Sequence, residues 1–185
     1  MEHRDGSILE RAEVMWGQEI PIVPGGNNKV EGIVEKTGLL SGKKHVLSWE
    51  KFDGKFSVSP ARVDLTVESG SVKVLDDWIN DGKKEDVRKE AVGKDVLDAK
   101  KFPQITFVST GVSGDTGIAF QVAGNLTVRG ITKAVTLTVK KSRLNYVGET
   151  KFPMSGFGIK PPKALLGAIG TTDEMTIRFV VESKP

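Results

Sequence analysis

The sequence predicts an all-β protein, an antiparallel barrel or sandwich of about eight strands. Three observations carry that reading. Apolar and polar residues alternate over long stretches, most clearly in residues 122–139, VAGNLTVRGITKAVTLTV, where Val122, Gly124, Leu126 and Val128 share one face. Glycine is abundant, 21 of 185 residues, as a turn-rich chain requires. One interior stretch alone, residues 82–97, has a helix-forming composition, and no internal repeat is present. Long, twisted antiparallel strands favour closure, because a barrel removes exposed edges. At this size the interior is either filled by side chains or holds one ligand.

The elements follow in order. Residues 1–28 form an extension ahead of a barrel domain spanning 29–185. Within the extension, Ser7 and Glu10 have capping-box spacing, and Ile8, Ala12, Met15 and Trp16 then share one face, which predicts a short helix. This stretch lacks the continuous apolar run of a secretory leader. Residues 29–36 are a weak strand. Residues 43–58 read as two strands, or one bent strand, around the turn signal Asp53-Gly54. Residues 61–74 set Val63, Leu65 and Val67 against Arg62, Asp64, Thr66 and Glu68. Val87, Ala91 and Val92 make a thin apolar stripe on the amphipathic helix over 82–97. Residues 104–112 place Ile105 and Phe107 on one face; strands over 117–129 and 134–147 follow. Prolines and glycines make 152–173 a long loop, with a short strand at Phe157–Lys160. A last strand over 174–183 sets Met175, Ile177, Phe179 and Val181 against Thr176, Arg178 and Glu182.

Composition narrows the function. Without cysteine there is no disulfide, thiolate ligand or thiol nucleophile. With only His3 and His45 as imidazoles, no metal site is expected, and His45 in its alternating strand reads as structural. No apolar run approaches the roughly 18 residues of a membrane helix; the longest is ALLGAIG at 164–170. A net charge of +3 is no nucleic-acid footprint. No nucleophile elbow, P-loop or dinucleotide glycine pattern occurs, so no catalytic residue and no cofactor are nominated. Lys83, Lys84, Arg88 and Lys89 sit among Glu85, Asp86 and Glu90, which reads as a solvated helix face. Their other reading is a contact to a pyrophosphate, for which Lys43, Lys44, Arg129 and Lys133 are further candidates.

Several segments resemble one family. KKFPQITFVST, residues 100–110, resembles the Lys-Tyr-Pro-x-Ile-x-Phe-x-Ser signature of the YceI-like proteins. VAGNLTVRGITKAVTLTV is similar to their Gly-x-Leu-Thr-x-x-Gly-Val-Thr-Lys-x-Val segment, and SGFGIK, residues 155–160, to their Phe-Gly-Ile segment. The region IVEKTGLLSGKKHVL departs from the commoner Val-x-His pattern and looks like a subgroup with Lys-x-Gly-Leu-Leu-Ser ahead of a histidine, here His45.

The resemblance implies a lipocalin-like, extended antiparallel β-barrel with the helix near its mouth. It implies a long isoprenoid lipid inside, of polyprenyl phosphate or isoprenoid quinone type, held for transport, storage or sequestration. It implies a bacterial periplasmic or envelope setting, with the cytoplasm left open by the missing leader, and a possible homodimer. From the residues alone the inward faces read first as a packed core. The resemblance instead makes them a ligand wall, formed by Val63, Leu65, Phe107, Phe120, Val122, Leu126, Val128, Leu137, Phe157, Ile177 and Phe179. Either segment 76–98 or 152–173 would open for loading. The rival expectations are an enzyme acting on a lipid or other small apolar molecule in the same cavity, and an interaction module with a filled barrel.

Overall fold

A computed structural model describes residues 19–183. Eleven strands follow the chain: β1 (Glu19–Ile22), β2 (Lys29–Gly38), β3 (Lys44–Trp49), β4 (Phe52–Val58), β5 (Ala61–Glu68), β6 (Val72–Val74), β7 (Gln104–Asp115), β8 (Ala119–Val128), β9 (Ile131–Lys141), β10 (Asn145–Pro153) and β11 (Ile169–Glu182). One helix, α1 (Asp81–Val92), lies between β6 and β7, and short 3₁₀ turns occupy Met154–Phe157 and Leu165–Gly167. The predicted helix over residues 7–16 lies outside the described residues. Among those described, no helix is long and apolar enough to cross a membrane.

All strands belong to one antiparallel sheet, in the order β1-β4-β5-β7-β8-β9-β10-β11-β2-β3-β6. Its closure comes from a long bent hairpin. One arm, β3 and β4, breaks at Glu50–Lys51; the other, β5 and β6, breaks at Ser69–Ser71. The breaks face each other, Glu50 N donating to Ser71 O (2.9 Å) and Glu68 N to Lys51 O (2.9 Å). Before the corner β3 pairs with β2; beyond it β5 pairs with β7. The hairpin therefore joins the two ends of the sheet. Counted once per arm, eight strands surround the interior, and the higher total comes from the two bends and from β1. That first strand falls in the stretch expected to precede the barrel, yet it pairs with β4 from Glu19↔Ser57 to Ile22↔Gly54.

Several boundaries differ from expectation for local reasons. The bend at 50–51, and not Asp53-Gly54, divides the arm. Gly54 is inside β4, where a Cβ would strike the backbone of Asp64 and Leu65 on β5. The expected strand 134–147 is split by a turn at 142–144, held by Ser142 N on Asn145 O (2.8 Å). α1 stops at Val92 because Gly93 leaves helical geometry (φ −73°, ψ 172°). Its start is fixed by Asn80, whose side chain accepts from Lys83 N (2.9 Å). The short strand at Phe157–Lys160 does not form. A 3₁₀ turn ends there in left-handed Gly158 (φ 70°).

The inner face carries the core. Across it, Phe56 on β4 meets Tyr146 on β10 edge-to-face (5.0 Å between centroids) and stacks near Phe120 on β8 (5.8 Å). Strands β4 and β10 are five places apart in the sheet, so this contact spans the interior. These rings close the aromatic end. The opposite, covered end collects α1, residues 93–102 and residues 154–168.

Candidate functional site

Between the two ends lies a cavity of ≈ 90 Å³. That is several times the ~15 Å³ a single water needs. Its wall is supplied by β1, β2, β3, β5 and β7 to β11, together with Leu97 and Ile159 from the covered end. The accessible wall is entirely apolar, and the hydroxyl residues Thr106 and Thr150 are its sole polar side chains apart from an indole. That indole, Trp49, turns its Nε1 to Ser69 O (3.3 Å) and presents hydrocarbon. No acidic, basic or imidazole group lines the space. A cavity of this kind stays dry and accepts apolar molecules.

Eight of the eleven expected wall residues line it: Val63, Leu65, Phe107, Leu126, Val128, Leu137, Ile177 and Phe179. Three stand elsewhere. Phe120 belongs to the aromatic end, 6.0 Å from the Tyr146 ring. Val122 is completely buried in packed core. Phe157 covers the cavity from outside, edge-on to the wall residue Phe152 (5.1 Å). Trp49, Phe152 and Met175 are wall residues the sequence reading did not nominate. Trp49 ends the alternating run Leu47, Trp49, and that parity was the available signal.

Three cavity aromatics lie over glycines on neighbouring strands. A Cβ at Gly32 would come within 3.0 Å of the Trp49 ring. A Cβ at Gly124 or Gly148 would overlap the rings of Phe107 and Phe179. The missing side chains let these rings lie flat on the wall instead of filling the lumen. Val63, Leu65, Ile105, Val135, Ile177 and Phe179 are half-buried although they face inward, as expected of residues bordering empty space.

Side chains tie down the covered end: Ser155 N donates to Asp173 Oδ1 (2.7 Å) from β11, and Arg129 acts from the β8–β9 turn. Arg129 and Gly130 form the tight β8–β9 turn, both with positive φ (52° and 72°). The Arg129 guanidinium donates to Gly158 O and to Lys94 O (3.1 Å), clamping the two covering segments together. Around it lies a polar cleft of ≈ 320 Å³ lined by Lys94, Asp95, Asp98, Lys101, Arg129 and Lys160 beside Phe102 and Phe157. Phe157 thus separates the polar cleft from the apolar cavity.

His45 is remote from both. Its Nδ1 lies 2.6 Å from Asp76 Oδ2, and Asp76 Oδ1 accepts from Val46 N (2.8 Å). Trp78 stacks on the imidazole (5.5 Å) and donates to Lys44 O (2.9 Å). The cluster pins the segment leading into α1 against β3. No group of three or more metal-ligating side chains occurs among the described residues.

Comparison with known proteins places this architecture. The family model of the YceI-like domain matches residues 28–183. The chain belongs to the YceI-like family. A UPF0312 protein of Pseudomonas putida is 32% identical over 132 residues, covering 63% of this chain and 65% of the relative. A UPF0312 protein of Shewanella denitrificans is 33% identical over 127 residues, covering 60% and 62%. The match therefore spans just under two thirds of these relatives' length. Among solved structures, BcnA of Burkholderia cenocepacia superposes with a TM-score of 0.59 at 22% identity, over 84% of this chain and 96% of that one. A polyisoprenoid binding domain from Saccharophagus degradans, implicated in plant cell wall breakdown, superposes with a TM-score of 0.57 at 12% identity, over 91% and 100%. These likenesses show the fold.

In this YceI-like chain three of the four α1 cations, Lys83, Lys84 and Arg88, are engaged along their own helix. Arg88 holds Glu85 (2.6 Å), Lys83 lies 3.9 Å from Asp86, and Lys84 lies 3.8 Å from Asp81. The Arg88 hydrogen bond holds the Glu85 carboxyl below the usual carboxylate range, and the same bond raises the guanidinium. This is the solvated helix face. Lys43 is placed over the Trp78 ring (5.9 Å), while Lys44 and Lys133 are exposed. Arg129 and Lys133 both border the covered end of the cavity, Lys133 running beside Gly156.

Proposed function

We propose that the protein is a non-enzymatic carrier that encloses the apolar tail of a long-chain isoprenoid lipid in its barrel. The observation carrying this reading is the cavity wall: apolar throughout, without an ionisable group, and supplied by strands from the whole circumference. Nothing on that wall can donate or accept a catalytic proton at neutral pH, and everything on it can bury hydrocarbon. The description of a structural neighbour from Saccharophagus degradans as a polyisoprenoid binding domain supports the same class of cargo. A polyprenyl phosphate or isoprenoid quinone would place its head in the polar cleft, beside Lys94, Lys101 and Lys160. The role is transport, storage or sequestration, in a bacterial periplasm or envelope.

Each isoprene unit buries about 100 Å² and contributes about 2.5 kcal/mol before the tail's ordering cost. From Met175 to Val181 the wall runs about 20 Å, which limits the tail length that gains contact. Loading a long tail also demands more room than ≈ 90 Å³, so the half-buried wall and the covered end must yield. Titration with polyprenyl phosphates of increasing chain length tests this. Affinity should climb steeply with each unit and then level off once the wall is spanned. Affinity that ignores chain length would overturn the reading.

A further inference from the structure

Away from the cavity, one surface region is apolar where water should select against it. Leu39 in the β2–β3 turn is 75% exposed, and Leu165 and Leu166 are 66% and 110% exposed. Single exposed leucines are ordinary, but these three lie on adjoining turns. Leu39 N donates to Ala168 O (3.0 Å), Gly38 pairs with Ile169, and Ala164 bridges to Ile169. Ala164 and Ala168, exposed beside the leucines, extend the patch.

Two further features set the region apart. Leu165 and Leu166 hold left-handed backbone (φ 49° and 54°), a conformation that asparagine or glycine adopts at less cost. Their side chains gain no packing in return. Cations also predominate on these turns, with Glu35 and Asp173 adjoining them in sequence and Glu90 near Lys36. Residues 36–44 and 158–172 contain Lys36, Lys43, Lys44, Lys160 and Lys163 and no carboxylate. The last four are exposed. The patch sits at the covered end, continuous with the segment that includes Phe157 and Ile159.

We propose that this face docks on the surface of an anionic lipid bilayer, with Leu39, Leu165 and Leu166 entering the apolar boundary and the lysines meeting the headgroups. Apolar side chains ringed by cations suit a soft, negatively charged surface. A stable protein interface needs about 800 Å² per partner, and three projecting leucines on two turns fall well short of that. Docking in this way would turn the covering segments, and the cleft beside them, toward the bilayer. The inference rests on the exposed turns and is independent of what the cavity holds.

Co-sedimentation of the full chain with vesicles tests it, using phosphatidylcholine alone and phosphatidylcholine mixed with phosphatidylglycerol, both free of isoprenoid. The chain should sediment with the phosphatidylglycerol vesicles and stay soluble with neutral ones. Leu165→Asn with Leu166→Asn should weaken partition roughly tenfold per leucine. Because asparagine accepts left-handed backbone, thermal stability should hold or rise, which separates lost docking from misfolding. Lys43→Gln, Lys44→Gln and Lys163→Gln should each weaken partition about fivefold, and salt should do the same to the native chain. No sedimentation, or sedimentation with both vesicle types that the leucine variants leave unchanged, would overturn the proposal. Lipid-independent self-association that the leucine variants abolish would also overturn it, making the face a contact between copies.

Discussion

Replacing Leu126 with tryptophan separates an enclosed space from a filled core. Leu126 projects from β8 into the cavity, opposite Lys133 on β9 and beside Phe107 on β7. In a tightly packed interior the larger ring would cost roughly 1–3 kcal/mol through overpacking. Here a void of ≈ 90 Å³ is available to receive it. At about 24 cal/mol per Å³ that void withholds about 2 kcal/mol, which the indole recovers by filling it. The two effects nearly cancel, so the melting temperature should move by no more than about 4 °C. Lipid uptake should suffer far more. An indole occupying the lumen displaces the equivalent of about two isoprene units, about 5 kcal/mol of burial, or more than 1,000-fold in affinity by the usual logarithmic relation. Differential scanning fluorimetry and displacement of a fluorescent polyprenyl probe measure the two quantities on one preparation. A folded Leu126→Trp protein that binds the probe as tightly as the native chain would refute the reasoning. A melting temperature lowered by 10 °C or more would equally show, on the scale of about 2–4 °C per kcal/mol, that no usable space exists.

Gly148→Ala sets a methyl group beneath the Phe179 ring and forces that ring into the lumen; urea unfolding should show a loss of roughly 1–3 kcal/mol, with weaker probe binding. Arg129→Ala releases the clamp on Lys94 O and Gly158 O, so hydrogen exchange should accelerate across 154–160 and probe loading should quicken while the β8–β9 core stays protected. Lys36→Met tests a half-buried charge whose ammonium also donates to Thr171 Oγ1 (3.3 Å). Burial pushes the Lys36 ammonium below its ordinary pKa, against the opposing pull of Glu90, so the folded state sheds this proton at lower pH than the unfolded chain. Stability of the native chain from this group therefore rises as pH climbs toward the ordinary lysine value. The variant should be the more stable at pH 7, and melting curves should show that advantage shrinking at alkaline pH.

The sequence makes the wall of this molecule legible and its curvature much less so. The β8–β9 hairpin is readable because Leu126, Val128, Val135 and Leu137 alternate without a break and Arg129-Gly130 supplies the turn. The bends at 50–51 and 69–71 show only as a one-residue slip of inward parity, from Leu47 and Trp49 to Phe52 and Phe56 and from Val67 and Ser69 to Val72 and Val74, and the slip does not reveal the change of pairing partners. β10 is obscured because Gly148 and Thr150 take two inward positions, and the start of β11 because Thr171, Thr172, Asp173 and Glu174 read as a polar loop. Parity on a strand identifies inward residues but not their height along the barrel. Phe120 and Leu126 share one face of β8, yet one closes the aromatic end and the other faces the cavity. Phe157 lies on a 3₁₀ turn, where strand parity carries no information. The exposed pair Leu165-Leu166 looks in sequence like any apolar run; only the backbone shows it turned to solvent.

The central claim is that the barrel encloses an isoprenoid tail, and native mass spectrometry of protein purified gently from its host tests it most directly. The account predicts a discrete added mass that extracts into solvent as a polyprenyl species, and uptake of added polyprenyl lipid by any apo fraction. Apo protein that refuses added isoprenoids would contradict it.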